Sequence, residues 1–542
     1  MTPRKPMGAG PIEFVPRTET PKTSRHYARA AALHLDGKPE DALRELQRAI
    51  TKGEKTADIY SAMALIQFEI GQFEGAVNSY RELVDLDPKN VSGWFNLALC
   101  LERMSKWQEA SEAFQKTLEL NPERTDAFLG LGIASLHLKQ AQVAQNAFDR
   151  CLALDPDSET AQFGKATALH LASRYDDAAE AYRKVLARNP NSEEALSNLI
   201  ALGMSKRDWD LVRQNAEKLL EVKPQSTTAL EGLAAWATAR GEYELTAKFC
   251  TLLVDAEPSH FEGWFNLGLA HQKGGRMQQA SEAYQEAIKV KPDSAAAYTN
   301  LGVVRQELGA LKEARDAYQQ AVKLEPGALN ALWNLALALE QSGELEEAEK
   351  AYAKVLEKDP DNAEPRFRIG YVRLQKGDYR GAADAFESCL KKRKDWIEAQ
   401  MNLGLAYWKL GDRELAQLAY EQALNSDPKS LDALRGLAEL ALERTDMDQA
   451  LEYHGRLVDL GDRTPELLYN TALLLQKSGQ PEEAVRLYRE ALAENPDFAE
   501  ALVNLGHVLK SLGRTDEARA CWSRALEAKP ELAQGYFETA RA

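Results

Sequence analysis

The stretch FEGWFNLGLAHQKGGRMQQASEAYQEAIKVKPDS, residues 261–294, decides the fold. Its first half places Trp264, Leu267, Gly268 and His271 three and four apart, which puts them on one face of a helix. Gly275 then offers the left-handed backbone that ends a helix. Ala280, Tyr284 and Ala287 give the same spacing in a second helix, and Pro292, which has no N–H, stops it. The unit is two amphipathic helices joined by a glycine turn. Moving outward by 34 residues in either direction finds it again. Prolines stand at 88, 122, 156, 190, 224, 258, 292, 326 and 360, and the series resumes at 428, 496 and 530, with Lys394 and Asp462 in the skipped slots. With position 1 set three residues after each proline, fifteen repeats fill residues 23–532 with no insertion or deletion.

Position 8 is Ala or Gly in fourteen repeats, Ile200 being the exception, and position 20 is Ala in thirteen, with Val212 and Thr246 as exceptions. Small residues there let the two helices approach closely, and a bulky one overpacks the contact. Position 15 is Gly in ten repeats. Repeats 193–260 combine Ile200, Val212 and Thr246 with Arg207 in the turn. Larger side chains at the helix contact predict a local irregularity there, unless neighbouring residues repack to compensate.

The succession W-x2-L-G, then A-x3-F or Y, then P resembles the tetratricopeptide repeat (TPR) family. Trp94, Leu97, Ala98, Ala110, Phe114 and Pro122 carry it in one unit; Trp264, Leu267, Gly268, Ala280, Tyr284 and Pro292 carry it in another. The repeats cover 510 of the 542 residues. The resemblance implies an all-α fold: an α-α superhelix, a right-handed solenoid of stacked helix pairs. In such a stack the first helices line the concave face and the second helices the convex one. Residues 1–22, rich in Pro, Thr and Lys, read as a disordered N-terminal tail. Within it, Ile12, Phe14 and Val15 form an apolar cluster that suits a groove. Residues 533–542 keep the register, with Tyr536 and Ala540 at positions 4 and 8, and read as a capping helix.

Acidic residues outnumber basic ones 83 to 67, a formal charge of −16 that opposes nucleic acid phosphates and anionic membranes. The short basic run Lys391, Lys392, Arg393 and Lys394 reads as a solvated helix end. No stretch approaches the roughly 18 apolar residues of a membrane span, and none has the apolar core of a signal peptide, so a cytoplasmic protein is expected. Five widely separated cysteines do not suggest a disulfide framework. The sequence contains no HExxH, GxxxxGK[ST], GxSxG or CxxC, and its eight histidines are scattered. The expectation is a non-enzymatic protein with no cofactor and no metal. His271 at position 11, Cys151 and Cys389 at position 27 and Cys250 at position 24 occupy core slots.

The informative positions are those expected on the concave face. Position 6 is Asn in eight repeats: Asn96, Asn198, Asn266, Asn300, Asn334, Asn402, Asn470 and Asn504. An Asn side chain both donates and accepts, as a peptide group does, so a row of them suits the backbone of an extended peptide. The ladder resembles that of the repeat domain of O-linked N-acetylglucosamine transferase, without any glycosyltransferase domain here. It has gaps at Ala28, Ala62, Gly130, Gly164, Gly232, Arg368 and Gly436, and Asn is also simply common at this position in the family. Position 5 adds aromatic neighbours, Phe265, Trp333 and Phe367 among them, which either face a ligand or pack on the adjacent repeat. The Lys and Asn set with which chaperone-binding members hold a terminal carboxylate does not occur in three successive repeats. The expected function is a scaffold that binds an extended polypeptide segment in its groove. Two alternatives stand beside it: a solenoid that self-associates into a dimer or filament, and a non-catalytic, substrate-recruiting subunit of an enzyme complex.

Overall fold

The computed structural model describes residues 24–532. The tail cluster Ile12, Phe14 and Val15 and the capping helix with Tyr536 and Ala540 lie outside the described residues. Within them all regular structure is α-helical: thirty helices, from α1 (Arg25–Leu35) and α2 (Pro39–Thr51) to α29 (Ala499–Ser511) and α30 (Thr515–Ala528). The described residues form two compact units, divided between Arg276 and Met277.

In the first unit the first helices of neighbouring repeats touch: α5 (Val91–Arg103) meets α7 (Thr125–His137), α7 meets α9 (Glu159–Leu171), and α11 (Glu193–Lys206) meets α13 (Thr227–Ala239). The second unit does the same. There α17 (Ala295–Glu307) meets α19 (Leu329–Gln341), and α23 (Ile397–Leu410) lies between α21 (Ala363–Gln375) and α25 (Leu431–Glu443). The second helices show no comparable set of mutual contacts among the described residues. The first helices are therefore the crowded side of each stack, which makes theirs the inner face.

The helix pairs close around a ring at position 24. Tyr80, Phe114, Phe148, Tyr182, Tyr284, Tyr318, Tyr352, Phe386 and Tyr488 are all fully buried. Position 8 is small because this ring lies on it: a β-carbon added at Gly302 would stand 2.5 Å from Tyr318, and one at Gly132 2.6 Å from Phe148. Position 20 is fully buried wherever it is Ala, as at Ala76 and Ala110.

Repeats 193–260 keep this plan by exchanging volumes. Ile200 and Val212 are fully buried, but position 24 shrinks to Ala216. Glycines receive the added bulk: β-carbons built at Gly203 and Gly232 would stand 2.8 Å from Val212 and 2.8 Å from Ile200. At Ile200 and Val212 the larger side chains are thus met by smaller neighbours, the compensating alternative to a local irregularity.

The turn geometry outlasts its glycine. Ser105, Lys139, Ser173, Arg207 and Thr445 stand at position 15 with φ between 56° and 60°, the left-handed region that glycine holds in the other repeats. Each of these side chains costs about 1 kcal/mol of backbone strain, so the turn is imposed by the packed helices on either side. A second device recurs at position 4. Trp94 Nε1 and Trp264 Nε1 each donate to a proline carbonyl at 3.0 Å, that of Pro88 and Pro258. Gln162 Nε2 reaches Pro156 O at 3.0 Å, and Arg366 Nη2 reaches Pro360 O at 2.6 Å. Trp, Gln and Arg are interchangeable there because each brings an N–H to the same carbonyl.

Candidate peptide-binding groove

The position-6 residues are not uniformly presented. Asn96 is 5% exposed, Asn266 and Asn470 are exposed, and Asn198, Asn300, Asn334, Asn402 and Asn504 are half-buried. The burial of Asn96 differs from the groove-facing position expected, and the ring of the preceding repeat supplies the reason. Position 6 sits beside position 24 of the repeat before it. Asn300 Nδ2 donates to Tyr284 Oη at 3.4 Å. Burial pushes the Tyr284 and Tyr80 hydroxyls up, and hydrogen bonds from Asn300 and Asn96 pull them partly back. Where the preceding ring is Tyr80, Tyr182, Tyr284, Tyr318, Tyr352 or Tyr488, position 6 is Asn96, Asn198, Asn300, Asn334, Arg368 or Asn504. Where it is Phe114 or Phe148, position 6 is Gly130 or Gly164, and an added β-carbon would stand 2.3 and 2.4 Å from those rings. Asn402 follows Phe386, which has no hydroxyl, and its amide turns back to Glu398 O at 2.8 Å. Tyr420 with Gly436 breaks the pattern. Asn96 and Asn300 therefore serve buried tyrosine hydroxyls, which cost free energy if left unpaired, whereas Asn504 Nδ2 donates to Tyr469 Oη of position 5 at 2.8 Å.

The same hydroxyls donate onward to position 12: Tyr318 to Gln306 at 3.0 Å, Tyr352 to Glu340 at 2.6 Å and Tyr488 to Gln476 at 3.1 Å. This linkage predicts a coupled pair of variants. Asn300→Ala is expected to cost about 1 kcal/mol in the wild type and close to nothing in a Tyr284→Phe background, read from hydrogen-exchange protection of α17. Equal costs in the two backgrounds would show that the hydroxyl is not what Asn300 serves.

Position-5 rings divide in two. Trp333, Phe367 and Tyr469 lie 5.5, 5.7 and 5.9 Å from the position-24 rings Tyr352, Phe386 and Tyr488 of their own repeats. All three are half-buried; Phe367 is also stacked on Trp396 at 4.6 Å, and Tyr469 lies 5.0 Å from Phe498. Phe95 is instead fully buried, with the Arg124 guanidinium 3.8 Å over its ring. Phe265 is half-buried beside Phe261, 5.8 Å away. On the inner face of α19, α21 and α23, Trp333, Leu337, Phe367, Tyr371, Leu405 and Trp408 give a row of half-exposed apolar side chains at positions 5, 9 and 12 of successive repeats. The sequence points to Trp333 and Phe367 at position 5 and to Leu337, Tyr371 and Leu405 at position 9, but not to Trp408, because position 12 is polar in many repeats.

Elsewhere, Lys165 takes position 7, Leu in most repeats, and a cavity of about 620 Å³ opens beside it, lined also by Gln162, Leu152, Leu169 and Lys184. Its charges are satisfied within the chain, Lys165 by Asp149 at 2.5 Å and Lys184 by Glu180 at 2.7 Å. The core cysteines are where expected. Cys250 and Cys389 are buried, and burial pushes their thiols up to about 12 and about 11, against the thiolate that nucleophilic chemistry needs. His271 is half-buried and accepts from Arg276 Nε at 3.0 Å. Among the described residues no three His, Cys, Asp or Glu side chains gather as a metal site requires, and no helix is long and apolar enough to cross a membrane.

Family models described as tetratricopeptide repeat match residues 24–48, overlapping windows from 248 to 462, and residues 475–536, together more than half of the chain. The chain belongs to the tetratricopeptide repeat family. A further model, the cilia and flagella-associated protein 70 middle TPR-like domain, matches residues 60–197 of this TPR chain. No curated protein matches the sequence significantly. Among solved structures, Naa15/Naa10 bound to HypK-THB is 14% identical with a TM-score of 0.34, covering 93% of this chain and 99% of that one. YrrB, described as a TPR protein with an unusual peptide-binding site, is 20% identical with a TM-score of 0.33, covering 35% and 97%. A MamA structure is 26% identical with a TM-score of 0.31, covering 32% and 96%. At these scores the likenesses carry no statement about what this TPR chain binds. TPR stacks of this kind are protein-interaction scaffolds.

Proposed function

We propose that the chain is a non-catalytic interaction scaffold whose second unit holds an extended polypeptide along the inner face of α19, α21 and α23. The observation that carries this reading is the half-exposed apolar row from Trp333 to Trp408. Large apolar side chains left partly in water, flanked by polar groups, are typical of binding surfaces. Asn334 stands within the row and Asn300 one repeat before it, both half-buried, so each retains a face for a peptide backbone. In this reading the apolar row supplies most of the affinity and the asparagines set register. Asn96, Asn198, Asn266, Asn470 and Asn504 contribute less, because the apolar row does not accompany them, and Asn402, beside the row on α23, has its amide turned back to Glu398 O.

The test uses peptides selected by the intact protein from a random-sequence library and remeasured by fluorescence anisotropy. Trp333→Ala with Tyr371→Ala is expected to weaken them at least about ten-fold, and Asn300→Ala with Asn334→Ala by less. Unchanged affinity in the Trp333/Tyr371 variant, with helical content intact, sinks the reading.

A further inference from the structure

Where α5, α6 (Trp107–Leu120) and α7 meet, a carboxyl group lacks the partners that its slot has elsewhere. Glu occupies position 12 twice, as Glu340 and as Glu102. Glu340 receives Tyr352 Oη at 2.6 Å and Arg368 Nη1 at 3.3 Å. The corresponding positions for Glu102 hold Phe114 and Gly130, which carry no side-chain donor. Glu102 is 3% exposed, and its Oε2 is buried without a hydrogen-bond partner. The one charge that acts on this carboxyl among the described residues is Arg103, next to it on α5.

Position 12 has a further neighbour, position 13 of the next repeat. His34 Nε2 stands 2.6 Å from Glu69 Oε2, Gln306 Nε2 donates to Gln341 Oε1 at 3.1 Å, and Trp408 Nε1 donates to Glu443 Oε1 at 3.0 Å. For Glu102 that neighbour is His137, the same two residue types as His34 and Glu69 in exchanged places. Yet the His137 ring lies flat on Trp107, with centroids 3.7 Å and planes 6° apart. Burial holds its imidazole below the usual histidine range, while burial pushes the Glu102 carboxyl up to about 7. Of the charged residues at the start of α6, Lys106 and Glu109, the second is taken by Arg81 of α4 (Phe73–Leu86).

We propose that Glu102 and His137 share one proton as a two-position latch at this junction. In one position Glu102 is the buried neutral acid and His137 covers Trp107. In the other, the proton has moved from the Glu102 carboxyl to the His137 ring, carboxylate and imidazolium are hydrogen-bonded, and one face of the Trp107 indole is uncovered. The transfer conserves charge and needs no other reactant. It turns a stacked histidine into a switch for an aromatic surface at the edge of the third and fourth repeats.

The experiment is the titration of His137 in the intact, ring-labelled protein by NMR, assigned with His137→Gln. In Glu102→Gln, His137 is expected to titrate at least about one pH unit lower than in the wild type, because its carboxylate partner is gone. Phe114→Tyr, a residue this position carries in other repeats, offers Glu102 the hydroxyl donor that Glu340 has; it favours the carboxylate and is therefore expected to shift His137 the opposite way, to a higher pH. His137 titrating at the wild-type pH in Glu102→Gln overturns the latch. Should that variant fail to fold, Phe114→Tyr decides by the same criterion.

Discussion

Phe148→Ala is expected to lower the local stability of the fourth and fifth repeats by about 3–5 kcal/mol, the cost of removing a fully buried ring. The ring lies between two glycines of successive first helices: β-carbons added at Gly132 and Gly164 would stand 2.6 and 2.4 Å from it. Those glycines weaken their helices by about 1 kcal/mol each relative to alanine, and the ring is what requires them. A sign reversal follows. Gly164→Ala is expected to destabilise the wild type by about 1–3 kcal/mol through overpacking. In the Phe148→Ala background the same change is expected to be neutral or stabilising, because the methyl enters vacated space and the helix gains propensity. Global melting is a poor probe, since a repeat array unfolds by neighbouring units and not all at once. Hydrogen exchange of the α7 and α9 amides in the full chain reads the effect where it arises. A Gly164→Ala cost that is the same in both backgrounds would detach the glycine from the ring.

This sandwich shows how the fold was legible in the sequence. Two helices per 34 residues, the face each buries and the turn between them all follow from spacing, because a helix pair can bury its apolar stripe in few ways. What spacing does not reveal is the partner of a residue one repeat away. Ile200 reads as an intruder when position 8 is considered alone. It reads as half of an exchange when Ala216 and Gly232, 16 and 32 residues on, are considered with it. Arg207 and Thr445 likewise break the glycine rule without breaking the turn, because packing on both sides over-determines their backbone.

The site was legible in part for the same reason. The asparagine row is visible as a column of one residue type, and it suggests a ligand because the hydroxyls that Asn96 and Asn300 serve sit in another column. A signal was nevertheless present: at a separation of 16 residues asparagine follows tyrosine at five of seven positions and glycine follows phenylalanine at two of three. The physical content is that a buried hydroxyl needs a partner, whereas a bare ring packs against a bare backbone. The apolar row at positions 5, 9 and 12 survives this sorting. No core demand accounts for the faces of Trp333, Tyr371 and Trp408 that remain in water.

The same sorting makes Glu102 the residue whose replacement should change stability most with pH. Its carboxyl sits at about 7 in the folded chain against an ordinary value of 4.5, and burial is the main cause. The sign follows from proton binding. Between these two values the folded state holds a proton that the unfolded state has released, so stability falls as pH rises through this window and is greatest below it. At about 1.4 kcal/mol per pH unit the loss approaches about 3 kcal/mol by pH 8. Glu102→Gln keeps the shape and removes the titration; its buried amide carries a cost of its own, but one that does not change with pH. The stability of the variant relative to the wild type is therefore expected to rise by up to about 3 kcal/mol from pH 4 to pH 8, read as hydrogen-exchange protection of α5 and α7 with both proteins compared at each pH. If His137 takes up the released proton, the rise is smaller but keeps its sign, since the buried pair then relieves part of the ionisation cost. A difference that stays constant across the range would mean that water reaches Glu102 Oε2 and that the junction of the third and fourth repeats is not closed.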